Sequence, residues 1–394
     1  MNFIEKALHF YYNNLMFNVI IVGITSLFTD ISSEMVYPLL AIFLNTTLGA
    51  SPAIIGLIEG IAESIASLLK VFSGYISDKL KQRKSLAIAG YGSSAVGKIF
   101  LYFAMSWWWV LASRVIDRFG KGVRTAPRDA LIADSSAKET RGRNFGLHRM
   151  MDTMGAVFGV LIAYYLITRH SGNIDYKQIF LISLVPAFIG VGFLFFVRES
   201  KTPLTQTAKK LSFQWSKLPL KLKLFLLVTL LFTLGNSSNQ FLLLRAKNIG
   251  FDTSTVLLLY LVYNIVYALV SYPAGRLSDK IGRKTLLVCG YAFYGLVYLG
   301  FAVTHQPFYM WWLFSLYGIY IGITDGVEKA LVTDIAPEDL RATMIGLQAT
   351  LQGIGLFPAS FIAGILWAHF GPAATFYFGG VTGILAAIGL FLVL

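Results

Sequence analysis

Apolar stretches long enough to cross a bilayer follow one another along almost the whole chain. About 20 residues suffice at 1.5 Å of rise each, and inside hydrocarbon every backbone N–H and C=O must be paired within its own segment, so such stretches fold as helices. They fall at approximately 17–44, 53–77, 85–105, 107–133, 143–167 and 178–197, then 223–246, 254–278, 285–304, 308–333, 342–368 and 373–394. The expected fold is an all-α integral membrane protein with twelve transmembrane helices in two six-helix bundles, 1–197 and 223–394, joined by a basic cytoplasmic linker at 198–222. Composition closes the alternative. Only 13% of the 394 residues are charged, against roughly 25% in a soluble domain.

A net charge of +13 would point to nucleic acid in a soluble protein. Here the placement of the charge says otherwise. With the N-terminus inside, the inner segments carry 19 Lys and Arg and the outer loops four, Arg169, Lys177, Arg245 and Lys247. That asymmetry places both termini in the cytoplasm of a plasma membrane, the bacterial inner membrane being the natural setting. Trp107, Trp108, Trp109, Trp311 and Trp312 then fall near the outer interface. Residues 1–16 lack the features of a secretory signal and read as an amphipathic lead-in. Cys289 is alone and the five histidines are scattered, so neither a disulfide nor a metal site is expected. No phosphate-cradling loop is present, and no cofactor or nucleic-acid partner is expected. The bilayer is the partner, and the chain is expected to act as a monomer.

The chain also repeats itself at an offset of about 200. Gly74-Tyr-Ile-Ser-Asp78-Lys79-Leu-Lys-Gln-Arg83-Lys84 returns as Gly275-Arg-Leu-Ser-Asp279-Lys280-Ile-Gly-Arg283-Lys284. Ala130, Leu131, Asp134, Arg141, Gly146, Leu147 and Gly155 return as Ala330, Leu331, Asp334, Arg341, Gly346, Leu347 and Gly355. Two similar halves on one linker can rock to expose a midplane cavity to either side, which favours a carrier over a channel.

These residues resemble the major facilitator superfamily. Gly275 to Lys284 matches its motif A, G-x-L-x-D-x-x-G-R-[RK], and the copy at Gly74 to Lys84 keeps Gly74, Asp78, Arg83 and Lys84. Arg114, Asp134, Glu139, Arg141, Gly142, Arg143 and Gly146 are similar to motif B, with Asp117 and Arg118 where Gln and Gly are usual. Gly155-Ala156-Val-Phe-Gly159 is similar to the antiporter motif C without its proline. The resemblance implies a twelve-helix secondary transporter, with drug/proton antiporters and related exporters the nearest look-alikes.

Three groups of residues carry the expected chemistry. The first is a latch at the inner loops, where Asp78 and Asp279 can accept from the following Arg and Lys, with Asp134 and Asp334 nearby; its members are Gly74, Asp78, Arg83, Lys84, Asp134, Gly275, Asp279, Arg283, Lys284 and Asp334. The second is the set of ionisable residues inside the membrane, which are costly and by default functional. They crowd the N-terminal half, while the C-terminal half has Asp325, Glu328 and Lys329. Counting rise per residue, Glu34, Asp117 and Arg118 lie at about 15–16 Å depth, and Asp30, Asp152 and Lys121 at roughly 21–22 Å. Asp30, Glu34, Asp117 and Asp152 are therefore the candidate proton-coupling carboxylates, and Arg114, Arg118 and Lys121 candidate substrate contacts. The third group is the polar run in the seventh span, Asn236, Asn239 and Gln240, with Tyr263 and Asn264 of the eighth. It suits either a substrate or a helix kink.

The function expected from all this is alternating access by a secondary transporter, with proton-coupled export of an amphipathic or charged small molecule first. Import of an anionic solute, such as a carboxylate or a metal chelate, is the alternative. An enzyme is not expected, because no metal-ligand cluster or nucleophile–base pair is present.

Overall fold

The computed structural model describes the backbone of residues 3–80, 82–136, 140–169, 174–198, 219–336 and 341–394, and within these leaves out the side chains of 3–15, 71, 78, 80, 141–142, 333, 341–343 and 345. Most of the expected linker, and the side chain of Asp78, therefore lie outside the described residues. The described chain is helical: α1 Phe3–Thr46, α2 Pro52–Leu80, α3 Arg83–Tyr102, α4 Trp107–Asp134, α5 Arg141–Arg169, α6 Tyr176–Leu194, α7 Leu220–Gly235, α8 Gln240–Asn248, α9 Thr253–Ile281, α10 Arg283–Val303, α11 Pro307–Ile335, α12 Arg341–Phe370 and α13 Pro372–Val393. Among the described residues, eight stretches are long and apolar enough to cross a membrane by length and composition. α4 is not among them, since Arg114, Asp117, Arg118, Lys121, Arg124 and Arg128 run through it.

Where the sequence suggests one seventh span, the structure has two helices, α7 and α8, parted at Asn236–Asn239. By packing, the chain forms two units, residues 1–37 with 68–210 and residues 38–67 with 211–394. α1 and α2 thus each pass from one unit to the other.

In unit 1 an apolar core of Val22, Ala87, Tyr91, Leu131, Ile132 and Leu194 joins α1, α3, α4 and α6. Asn18 ties the same ends together. Its amide donates to the Arg198 carbonyl at 2.8 Å and to Ser135 Oγ at 3.1 Å, and its Oδ1 accepts from the Arg198 N–H at 2.9 Å. Unit 2 is built instead on aromatic rings. Phe232 stacks on Tyr291 at 3.8 Å, and Phe301 meets Phe314 and Phe376 at 5.5 and 5.6 Å.

The repeat is legible in the packing. Gly90 lets α3 approach Arg124 and Gly120 of α4, and Gly290 lets α10 approach Thr324 of α11. The two motif A copies turn differently: the second bends on Gly282 at φ 90°, whereas the first, one residue longer, enters α3 from Gln82 at φ −114°. The missing glycine of the first copy is thereby explained.

Two helix ends show how polar groups are satisfied. Arg245, an outer-loop cation by sequence, is buried on α8. It donates to the carbonyls of Phe301, Ala302 and Thr304 at 3.1, 3.3 and 2.8 Å, closing the end of α10 that a macrodipole makes negative. Asp252 caps α9 by accepting from the N–H and hydroxyl groups of Ser254 and Thr255. Slight burial opposes its charge, but those hydrogen bonds win and hold its carboxyl below the usual range. Asp252→Ala is expected to lower stability by about 1 kcal/mol, read as an earlier thermal unfolding midpoint.

Candidate functional site

Close approach of α5 to α1 builds the acidic part of unit 1. A methyl group on Gly155 would overlap the Leu27 carbonyl oxygen and stand 3.1 Å from Cβ of Asp30; one on Gly159 would stand 3.0 Å from Cβ of Glu34. The motif C glycines therefore seat α5 directly against the turns that carry Asp30 and Glu34. Asp152, one turn before Gly155, comes beside Asp30, close enough for the two carboxyls to act on each other. An ionised carboxylate only accepts hydrogen bonds, so two carboxyls this close could bond each other only by holding a proton between them. Glu34 and Arg124 stand near Asp30, and Arg128, His148 and Arg149 near Asp152. Arg149 Nη1 stands 3.6 Å from Asp152.

A basic group flanks this pair. Arg114 and Arg118 are buried, with Asp117 at 3.7 and 4.0 Å, and their guanidinium carbons sit 5.5 and 5.8 Å from the Tyr37 ring centroid. Guanidinium over a ring face gains from the ring quadrupole. Lys98 donates to Ser33 Oγ at 3.1 Å, joining α3 to α1. Arg124 lies 4.5 Å above Tyr91, whose hydroxyl bonds Ser26 at 3.0 Å; Ser26 meets His148 Nε2 at 2.8 Å. The structure thus brings Asp30, Asp152 and Glu34 together, and holds Asp117 between two arginines. Lys121 is exposed on α4.

In unit 2 the α7–α8 break gathers the polar run and a group of tyrosines. Asn236 Nδ2 donates to Tyr320 at 3.2 Å; Asn239 donates to Tyr263 at 3.2 Å and accepts from Tyr317 at 2.7 Å. The Gly235 carbonyl, freed by the break, accepts from Tyr294 at 2.9 Å. Gln240 is fully buried and its Oε1 accepts from the Ala41 N–H at 3.2 Å, while the Asn264 amide donates to the Tyr260 carbonyl at 2.9 Å. Those two amides are committed to backbone. Glu59 accepts from Ser238 Oγ at 3.3 Å at the same break. Spacing could not have found that contact, because 179 residues separate the partners.

The inner-loop residues pair within their own units. Arg83 bonds Asp134 and donates to the Ala130 carbonyl at 3.0 Å; Arg283 bonds Asp334 and donates to the Ala330 carbonyl at 3.0 Å. Asp279 stands 3.7 Å from Arg283. Lys84 donates to the Phe195 and Val197 carbonyls at 2.8 Å each, and Lys284 lies 5.3 Å from the Phe391 ring. Gly74 and Gly275 sit on α2 and α9, the first with Ala126 at contact distance and the second in open space.

The model of the Major Facilitator Superfamily matches residues 22–245 and 224–394. An "Uncharacterized MFS-type transporter" of Methanocaldococcus jannaschii is 41% identical over 381 residues, covering 94% of this chain and 93% of that protein. The "Multidrug resistance protein MdtH" of Proteus mirabilis is 24% identical, covering 78% and 74%. Among solved structures, the nucleoside transporter NupG aligns with a TM-score of 0.77 at 14% identity over 95% of this chain and 98% of its own. A D-xylose-proton symporter aligns at 0.73 and 16% identity, covering 96% of both chains. At such identities these structures speak to the fold alone.

Proposed function

The chain belongs to the major facilitator superfamily, hence is an integral membrane transporter of small molecules and not an enzyme, and on that premise we propose that it exports an amphipathic or charged small molecule in exchange for protons. The observation that carries the reading is the close approach of α5 to α1 at Gly155, which sets the carboxyls of Asp30 and Asp152 side by side. A pair that shares one proton can give it up or take it back as a neighbouring charge changes, and Arg124 and Arg128 stand by to balance the anion. Glu34 and Asp117 belong to the same coupling network. Similarity to a multidrug resistance protein supports the outward direction.

Substrate contacts are assigned to Arg114, Arg118 and Lys121 in unit 1 and to Asn236, Asn239 and Tyr263 in unit 2, with Gln240 and Asn264 supporting the break behind them. The Arg–Asp pairs at the inner loops are the gating latch, each bracing one half between conformations. Both termini lie in the cytoplasm on the weight of basic residues in the inner segments.

Proteoliposomes loaded with an amphipathic dye such as ethidium and given an imposed pH gradient provide the test. Dye movement that follows the sign of the gradient is expected, and movement indifferent to it removes proton exchange. The basic group Arg114, Arg118, Lys121 and Arg124 favours a second reading, uptake of an anionic solute. Counterflow with labelled carboxylates and metal chelates separates the two, since only the second predicts their exchange.

A further inference from the structure

Unit 2 holds a buried carboxylate that the pair in unit 1 does not involve. Glu328 on α11, 8% exposed, accepts from the Tyr291 hydroxyl at 2.6 Å, from Gln352 Nε2 at 2.8 Å and from Gln348 Nε2 at 3.2 Å. At the same place in the other repeat stand Arg128 and Asp129, where unit 2 has Glu328 and Lys329. Arg128 and Asp129 bond each other at 2.8 Å, whereas Lys329 turns to Asp325 at 3.1 Å. The inverted charges leave Glu328 hydrogen-bonded by three neutral groups.

The chemistry of those groups decides what Glu328 can do. A guanidinium has donors only and would hold the carboxylate charged. A tyrosine hydroxyl both donates and accepts, and a glutamine amide offers N–H on one side and a carbonyl on the other. Each can serve the ionised and the protonated acid alike. The Tyr291 hydroxyl also has somewhere to turn: Thr229 Oγ1 on the neighbouring α7 is buried and has no hydrogen-bond partner among the described residues, and it stands beside Tyr291. The Tyr291 ring, stacked flat on Phe232 at 5°, can stay in place while its O–H rotates.

We propose that Glu328 is a second proton-binding site, in the C-terminal half. A proton from water adds to a carboxylate oxygen, the new Glu328 O–H donates to Tyr291 Oη, and the Tyr291 O–H swings to Thr229 Oγ1. Among the described residues, the titratable groups around it are Asp325, Lys329 and Tyr320 on its own helix, Tyr291 on α10 and Tyr267 on α9, whose hydroxyl donates to Asp325 at 3.2 Å; the described side chains that α7 and α12 present to it are Thr229, Gln348 and Gln352, all uncharged. Tyr320, on the same helix as Glu328, accepts from Asn236 at 3.2 Å, which ties the helix that bears the proton to the α7–α8 break. That last link rests on the assignment of Asn236 as a substrate contact; the proton site itself does not.

Infrared difference spectra of the purified full-length protein, taken between acidic and alkaline buffer with no substrate present, test the site. The wild type is expected to lose a protonated-carboxyl band on going alkaline, Glu328→Gln to lack that band, and Asp30→Asn to keep it. Tyr291→Phe is expected to shift it, because a hydrogen-bond partner of the acid is gone. If Glu328→Gln shows every wild-type carboxyl band, the site is overturned. Should that variant not fold, a Tyr291→Phe spectrum superimposable on wild type overturns it. A band lost only in Asp30→Asn supports the unit 1 pair and rejects Glu328.

Discussion

Asparagine in place of Asp30 is expected to abolish accumulation driven by a pH gradient while leaving downhill exchange of substrate intact. One proton moving across one pH unit is worth about 1.4 kcal/mol, which sustains roughly a tenfold concentration ratio. Without a titratable group at this place that ratio falls to unity. The amide matches the carboxyl in shape and can still hydrogen-bond Asp152, so the seating of α5 on α1 is preserved. Asp152→Asn should act in the same direction, because either change ends the sharing of a proton. Asp252→Asn also removes a carboxylate, but from the cap of α9, where Asn caps as well as Asp; its accumulation ratio should equal that of wild type. Asp30→Asn protein that still responds fully to the gradient would take the pair out of the coupling step.

The second large effect is steric. Gly155→Val sets side-chain carbons against the Leu27 carbonyl, a backbone atom that no rotamer change can move aside. Overpacking costs about 1–3 kcal/mol where neighbours can give way, and here α5 must lift from α1, which also parts Asp30 from Asp152. A lower melting temperature and loss of gradient-driven transport are expected together. Gly155→Ala should move both in the same direction by less. On the same helix Gly146 has nothing within 4 Å of its would-be Cβ, so Gly146→Ala should be neutral or stabilising by up to about 1 kcal/mol through helix propensity. Equal melting of the two alanine variants would show that the α1–α5 contact is not tight.

Much of this architecture was legible beforehand because lipid leaves a chain few choices. The apolar stretches had to be helices, and a repeat of glycines and charges in register had to mean equivalent packing. Arg83 pairs with Asp134 and donates to the Ala130 carbonyl, and Arg283 does the same with Asp334 and Ala330. Depth arithmetic also brought Asp30 level with Asp152. It could not distinguish Asp117, which is held between Arg114 and Arg118, because rise per residue says nothing about which way a side chain turns.

Other features depended on contacts between segments far apart in the chain. Arg245 looked like a loop cation until α8 carried it to the end of α10. The seventh span read as one helix, since its composition is continuous; the break appears only where tyrosines from α9, α10 and α11 converge to receive the exposed polar groups. Glu328 looked like one charge among three near an inner helix end, and two glutamines and a tyrosine made it a buried acid with neutral partners. The sequence by itself determined that the chain lies in a membrane, as helices, in two related halves, since hydrophobicity, period and repetition are properties of single segments. Only the tertiary structure decided which acids meet each other and which meet cations, because a partner's identity depends on helix rotation and crossing, and these are set by packing between helices.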